Sequence, residues 1–147
     1  MNFRPYRPAD KSELIRIFNL NTPVYFGPDE TKDYADYLDL YGDTYFAIEQ
    51  NAVILGGVGY SLKSEERSAS ITWIFFDPAY KHQGLGTLAV QYCLDLFRAN
   101  PDIDLLTLRT SQYAFRFFEK FGYRLLHSEK DYWAPGLDLY LMEKPNK

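Results

Sequence analysis

The chain has 147 residues, a formal net charge of −4, and 46% hydrophobic, 18% aromatic and 24% charged residues. That length suits one domain spanning 1–147, and so much aromatic burial excludes intrinsic disorder. The acidic balance argues against duplex nucleic acid, whose phosphates need a basic face, and suits a cationic partner such as an amine.

One cysteine excludes an internal disulfide framework, and with two histidines no metal site is expected. Nothing approaches the ~18 continuous apolar residues of a membrane span. The stretch from Met1 to Phe18 has no signal-peptide core, so a cytoplasmic protein with no membrane partner is expected.

Asn2 to Tyr6 reads as a short strand before Pro8. Asp10 with Glu13 resembles a capping box, and Leu14, Ile17 and Phe18 follow at helical spacing, which predicts a helix over 10–20. A second helix near 29–41 carries Tyr34, Tyr37, Leu38 and Tyr41 on one face. After Gly42 the period becomes two. Residues 44–50, 52–62 and 68–76 read as consecutive antiparallel strands, with Glu65 and Glu66 in a solvated turn. A long helix begins after Gly84, with Leu85, Leu88, Ala89, Tyr92, Cys93, Leu96 and Phe97 on its apolar face. Cys93 is therefore a packed core thiol. A strand over 103–109, a short helix over 111–121 ended by Gly122, and strands over 123–130 and 137–143 complete the chain, with Asp131–Gly136 between the last two. The connection from 68–76 through the long helix to 103–109 is a crossover, which makes those two strands parallel. A mixed α/β sheet with helices on both faces follows.

The most informative stretch is Trp73-Ile-Phe-Phe-Asp-Pro-Ala-Tyr-Lys-His-Gln-Gly-Leu-Gly-Thr87. It runs from a strand into a helix N-terminus, where unpaired N–H groups and the helix dipole suit a phosphate. Lys81 and His82 add positive charge, and the alternative is a merely tight loop. There is no P-loop. Gly84-Leu-Gly86-Thr-Leu-Ala89 matches the dinucleotide pattern G-x-G-x-x-A, but seven residues separate the strand from the first glycine, and Asp104 falls at the wrong end of its strand. A nicotinamide enzyme is disfavoured. No Gly-x-Ser-x-Gly supports a hydrolase.

Lys81-His-Gln-Gly84-Leu-Gly86 resembles the GNAT superfamily signature Gln/Arg-x-x-Gly-x-Gly/Ala, with Lys in the first position. Ala114-Phe-Arg-Phe-Phe-Glu119-Lys120-Phe-Gly122-Tyr123 resembles that family's Ala-x-x-Leu-Tyr-Glu-Lys-x-Gly-Phe segment. The predicted element order is also the family's. The resemblance implies an acetyl-CoA-dependent N-acetyltransferase acting by direct attack of an amine. It implies a pyrophosphate on the backbone of His82, Gln83, Gly84, Leu85, Gly86 and Thr87 beside Lys81, and pantetheine along Ile74, Phe75 and Phe76. Strands 68–76 and 103–109 would splay to admit the thioester, whose carbonyl a backbone N–H near Phe76 would polarise.

The chain departs from the family in three places. Phe118 stands where many members have a tyrosine acid; Ser111 or Gln112 replaces the cofactor-contacting Asn; no Glu lies within 68–76. Tyr113 and Tyr132 are the nearest substitutes for the acid. In the family arrangement Asn21–Pro28 covers the acceptor, so Tyr25 and Phe26 would line its pocket, facing Tyr132 and Trp133. Homodimers are common in the family. The rival reading is a non-catalytic acyl-CoA-binding or interaction module, motivated by Phe118.

Overall fold

The computed structural model describes residues 1–81 and 83–147, so the expected phosphate contact His82 lies outside the described residues. The elements are β1 (Asn2–Pro5), α1 (Lys11–Leu20), α2 (Glu30–Tyr41), β2 (Tyr45–Gln50), β3 (Val53–Lys63), β4 (Ser68–Phe76), α3 (Leu85–Arg98), β5 (Leu105–Thr110), α4 (Phe115–Glu119), β6 (Arg124–Ala134) and β7 (Leu137–Pro145). They occur in the expected order. One seven-stranded sheet runs β1-β2-β3-β4-β5-β7-β6. Every neighbour pair is antiparallel except β4 and β5, which the α3 crossover makes parallel.

Successive strand residues point to opposite faces, and β2 shows this directly. Tyr45 joins a cluster with Leu14, Ile17 and Phe18 of α1 and Tyr34 and Leu38 of α2. Its neighbour Phe46 packs on the other cluster, built from Val58, Ala69 and Leu106 of the sheet with Ala89, Cys93 and Phe97 of α3. Helices therefore cover both faces. Burial pushes the Cys93 thiol up to about 12, so it stays protonated and inert.

Several local expectations need correcting. Asp10 and Glu13 form no capping box. The Arg4 guanidinium takes the Asp10 carboxylate at 2.9 Å and holds it below its ordinary range, while Glu13 pairs with Arg16 at 2.7 Å. Tyr41 is 61% exposed, its ring tilted against Tyr37 beyond the edge of the α2 core face. On α3, Leu88 and Leu96 are exposed, and Val90 and Leu94 fill the core instead. The buried stripe is 85-89-93-97 flanked by 90 and 94, rotated from the expected flank. Of the expected face of the short helix only Phe118 is fully buried, and that helix spans just Phe115–Glu119. Finally β6 continues through Asp131 to Ala134, leaving Pro135 and Gly136 as the turn.

Candidate active site

β4 and β5 pair at only three positions, Ser68↔Leu105, Ala69↔Leu106 and Ser70↔Thr107. The Ser70 and Thr107 hydroxyls are also hydrogen-bonded across the last of them. Beyond it β4 pairs only with β3 and β5 only with β7. Among the described residues, the edge of β4 from Ile71 to Phe76 is thus left without a strand partner on the β5 side.

That open edge contains a bulge. Gly59 pairs with Thr72 and Gly57 with Phe75, so Val58 opposes both Trp73 and Ile74. Trp73 takes φ 45°, a left-handed conformation that is costly for a bulky residue. Ile74 and Phe76 are half-buried, whereas the Phe75 ring is buried against Phe18, Phe26 and Tyr34. Phe75 therefore offers the open edge only its backbone.

The glycine turn follows. Gly84 has φ 73° with open space where a side chain would stand, a conformation that glycine adopts without the usual Cβ penalty. Leu88 N–H is bonded to Gly84 O at 3.2 Å, so the N–H groups of Leu85, Gly86 and Thr87 precede the helical ladder. No acidic residue lies in this first turn. Such donors at the positive end of a helix form an anion cradle. Lys81, Gln83, Gly84 and Thr87 are exposed around it. The Leu85 side chain is buried in the core, so only its backbone faces the cradle.

Ser111 and Gln112 turn out to be occupied structurally. Ser111 is buried, and its hydroxyl accepts from Tyr113 N–H at 3.3 Å while its carbonyl accepts from Phe115 N–H at 3.0 Å. Gln112 donates to Gly136 O at 2.8 Å and accepts from Asp138 N–H at 2.9 Å, bracing the β6–β7 turn.

A cleft of about 680 Å³ opens between the loop before α2, which contributes Val24, Gly27 and Asp29, and the end of the β6–β7 hairpin, which contributes Trp133, Ala134 and Gly136, and Tyr113 also lines it. The Trp133 indole donates to Thr110 O at 3.2 Å, tying this wall to the end of β5. Tyr25 is exposed and is not part of the lining. Phe26 packs inward, with ring centroids 4.4 Å from Phe18 and 6.1 Å from Trp73. Tyr132 is exposed beside Trp133, their centroids 4.9 Å apart. Of the two tyrosines proposed as acids, Tyr113 is the one on the cleft. Phe118 is buried against Phe117 and Tyr123.

Sequence reasoning missed Glu30, which reads as an ordinary first-turn acid on α2. It is 8% exposed, and its carboxylate accepts the Gly27 N–H at 2.6 Å, pinning one loop of the cleft. Burial pushes its pKa up to about 7, Gly27 opposing the shift and the Asp33 charge adding to it. The unfolded chain would ionise nearer 4.5. Between those values the unfolded state binds fewer protons than the native state, so stability falls as pH rises from about 4.5 to 7 and levels off above. The loss is about 2–3 kcal/mol. Glu30→Gln keeps an acceptor for Gly27 but cannot ionise. Its thermal unfolding should match the parent near pH 4.5 and occur higher at pH 8, and a gap that does not change with pH would refute this account.

The profile of the Acetyltransferase (GNAT) family matches residues 14–123. An N-alpha-acetyltransferase of Saccharolobus solfataricus is 28% identical, the alignment covering 97% of this chain and 91% of that one. The ribosomal-protein-S18-alanine N-acetyltransferase of Escherichia coli superposes with TM-score 0.81 at 19% identity, over 99% of this chain and 94% of the other. The structure of yncA from Salmonella typhimurium with its cofactor acetyl-CoA superposes with TM-score 0.74 at 17% identity, over 100% and 94% of the two chains. The chain belongs to the GNAT family of acetyltransferases, enzymes whose acyl donor is acetyl-CoA.

Proposed function

We propose that residues 1–147 form one cytoplasmic N-acetyltransferase domain that acetylates the α-amine of a polypeptide. The observation that carries this reading is the adjacency of two features. The cleft wall at Trp133 is bonded to Thr110, at the end of the strand that parts from β4. An amine held in the cleft therefore lies near a thioester held along β4.

The donor residues fit acetyl-CoA on the structure's own terms. The N–H groups of Leu85, Gly86 and Thr87 suit a pyrophosphate, and the unpaired β4 edge at Ile74, Phe75 and Phe76 suits the amides of pantetheine. Lys81 supplies a cation beside the cradle. Acetyl-CoA brings an activated acetyl thioester: the amine nitrogen forms the new C–N bond and sheds a proton to solvent, the C–S bond breaks, and the departing thiolate takes up a proton. On the protein side Tyr113, at the cleft, donates that proton in place of the phenol that Phe118 lacks. Trp133 shapes the acceptor wall, and Tyr25 and Tyr132 stand exposed nearby. An α-amine is favoured by the names of the archaeal relatives. The buried, free Cys93 agrees with a reducing compartment.

The test measures thiol release from acetyl-CoA with a short peptide bearing a free α-amine, with the same peptide N-acetylated but carrying a lysine, and with a polyamine. Release with the first peptide alone is expected, slowed in Tyr113→Phe and unchanged in Tyr132→Phe. Release only with the lysine peptide or the polyamine would overturn the α-amine assignment. Acetyl-CoA at ~100 times its dissociation constant should also raise the unfolding temperature by roughly 5–10 °C, and NAD should not. Phe118 supports a second reading, an acyl-CoA-binding module without turnover. It predicts the same thermal shift with no thiol release from any amine.

A further inference from the structure

The bulge at Trp73 needs an anchor, because a bulky residue at φ 45° persists only where its surroundings force it. The structure provides one from a strand two places away. Tyr45 of β2 is wholly buried, and its hydroxyl donates to Trp73 O at 2.7 Å. The Tyr34 hydroxyl, also buried, donates to Tyr45 Oη at 3.0 Å, so two phenols form a chain that ends on the bulge carbonyl. In a low-dielectric interior each bond of such a chain polarises the next.

The intervening strand is cut away to let Tyr45 reach. A Cβ on Gly57 would collide with the Tyr45 hydroxyl, and one on Gly59 with its ring. Two glycines of β3 therefore open a passage across the sheet, and the passage ends at Trp73. Burial holds the Tyr45 phenol well above its ordinary pKa, which keeps it a donor throughout the physiological range.

What the anchor controls follows from peptide geometry. The Trp73 carbonyl and the Ile74 N–H belong to one planar trans unit and point in opposite directions. Fixing the carbonyl on Tyr45 turns the Ile74 N–H away from the phenol. Ile74 has no register partner in β3 and lies on the part of β4 that β5 leaves unpaired.

We propose that Tyr45 is a positioning residue for acyl transfer, whose phenol, by holding Trp73 O, aims the Ile74 N–H at the thioester carbonyl. The proposal rests on the acetyltransferase reading and deepens it. It assigns a task to a side chain on the far side of β3 from the open edge. Tyr34 is the internal control, because its hydroxyl belongs to the same chain but does not touch the bulge.

The experiment reads the carbonyl stretch of acetyl-CoA, 13C-labelled at the thioester carbonyl, by infrared difference spectroscopy when bound to the parent, Tyr45→Phe and Tyr34→Phe. Hydrogen exchange of residues 72–76 is followed in the free proteins. In the parent the stretch should move to lower frequency on binding. Tyr45→Phe should lose most of that movement and exchange faster across 72–76, while acetyl-CoA affinity changes less than about threefold. Tyr34→Phe should retain most of it. With an accepting amine, kcat should fall on the order of ten- to a hundredfold in Tyr45→Phe with little change in KM for acetyl-CoA.

A full carbonyl shift retained in Tyr45→Phe, or equal losses in both variants, would overturn the positioning role and leave the acetyltransferase reading intact. An unshifted carbonyl in the parent would overturn the aimed N–H itself. Absence of acetyl-CoA binding by the parent would overturn the reading on which the proposal rests. Should Tyr45→Phe not fold, Gly57→Ala decides: its Cβ would displace the Tyr45 hydroxyl while both phenols remain, so the shift should be lost, and a full shift retained there would overturn the positioning role.

Discussion

Phe18→Ala should remove about 3–5 kcal/mol of stability, the range for emptying a buried aromatic site. Phe18 is wholly buried, with ring centroids 4.4 Å from Phe26, 4.8 Å from Tyr34, 5.4 Å from Phe75 and 5.7 Å from Trp73. Those rings come from the loop after α1, from α2 and from β4, so none can move into the gap without pulling its element along. For a domain with about 5–15 kcal/mol in total, that is a large share. At this chain length the unfolding temperature should fall by roughly 6–20 °C. Phe18→Leu should cost distinctly less, because it keeps most of the volume. A fall of under about 3 °C in the alanine variant would mean that the cluster collapses freely and does not form a rigid floor beneath Trp73 and Phe75. Because Trp73 and Phe75 rest on this floor, the alanine variant should also lose turnover at temperatures where it is still folded.

The second large effect is expected at the glycine turn. Gly84→Val places a β-branched residue at φ 73°, at a strain of about 1–2 kcal/mol. It also puts a side chain into the space that an incoming phosphate would use. Losing one charge-assisted hydrogen bond, at about 1.5–3 kcal/mol, weakens acetyl-CoA roughly ten- to a hundredfold. Calorimetric titration of the folded variant separates this from the strain. Affinity unchanged alongside a lowered unfolding temperature would show that the turn is only a tight loop and that the phosphate lies elsewhere.

In the sequence, the residues behind the proposed donor side are those whose constraint is local. Gly84 and Gly86 after a strand imply a turn, a helix start and free N–H groups with no knowledge of the rest of the chain. The parallel pairing of β4 and β5 followed from a single crossover. Features that depend on two distant segments were not legible. Tyr45 and Trp73 lie 28 residues apart in the sequence, and nothing near either one announces the bond between them. Glu30 looks solvent-facing because helix starts commonly carry acids, and its burial comes from the loop at Gly27 folding back on it. The face of α3 was misjudged for a subtler reason. Leu88 and Leu96 flank the stripe 85-89-93-97 on one side and Val90 and Leu94 on the other, and only the direction of the underlying sheet decides which flank is covered. Tyr92, midway, is half-buried and stacks on Phe3 of β1 at 4.3 Å. The capping box at Asp10 failed because Arg4, on a neighbouring strand, competes for the same carboxylate.

The two sides of the site are made of different material. In the proposed site the donor side consists of peptide groups at the start of α3 and along a sheet edge, which tolerate changes in the surrounding side chains as long as Gly84 and Tyr45 are kept. Its proposed acceptor side consists of residues of the loop before α2 and of the end of the β6–β7 hairpin, braced by Glu30 and Gln112. Mutation can therefore rewrite what is acetylated while leaving the acetyl source untouched. Exchanging the segments around 23–29 and 133–137 for others of equal length, with both braces kept, is the shortest route from this catalyst to one with a new clientele.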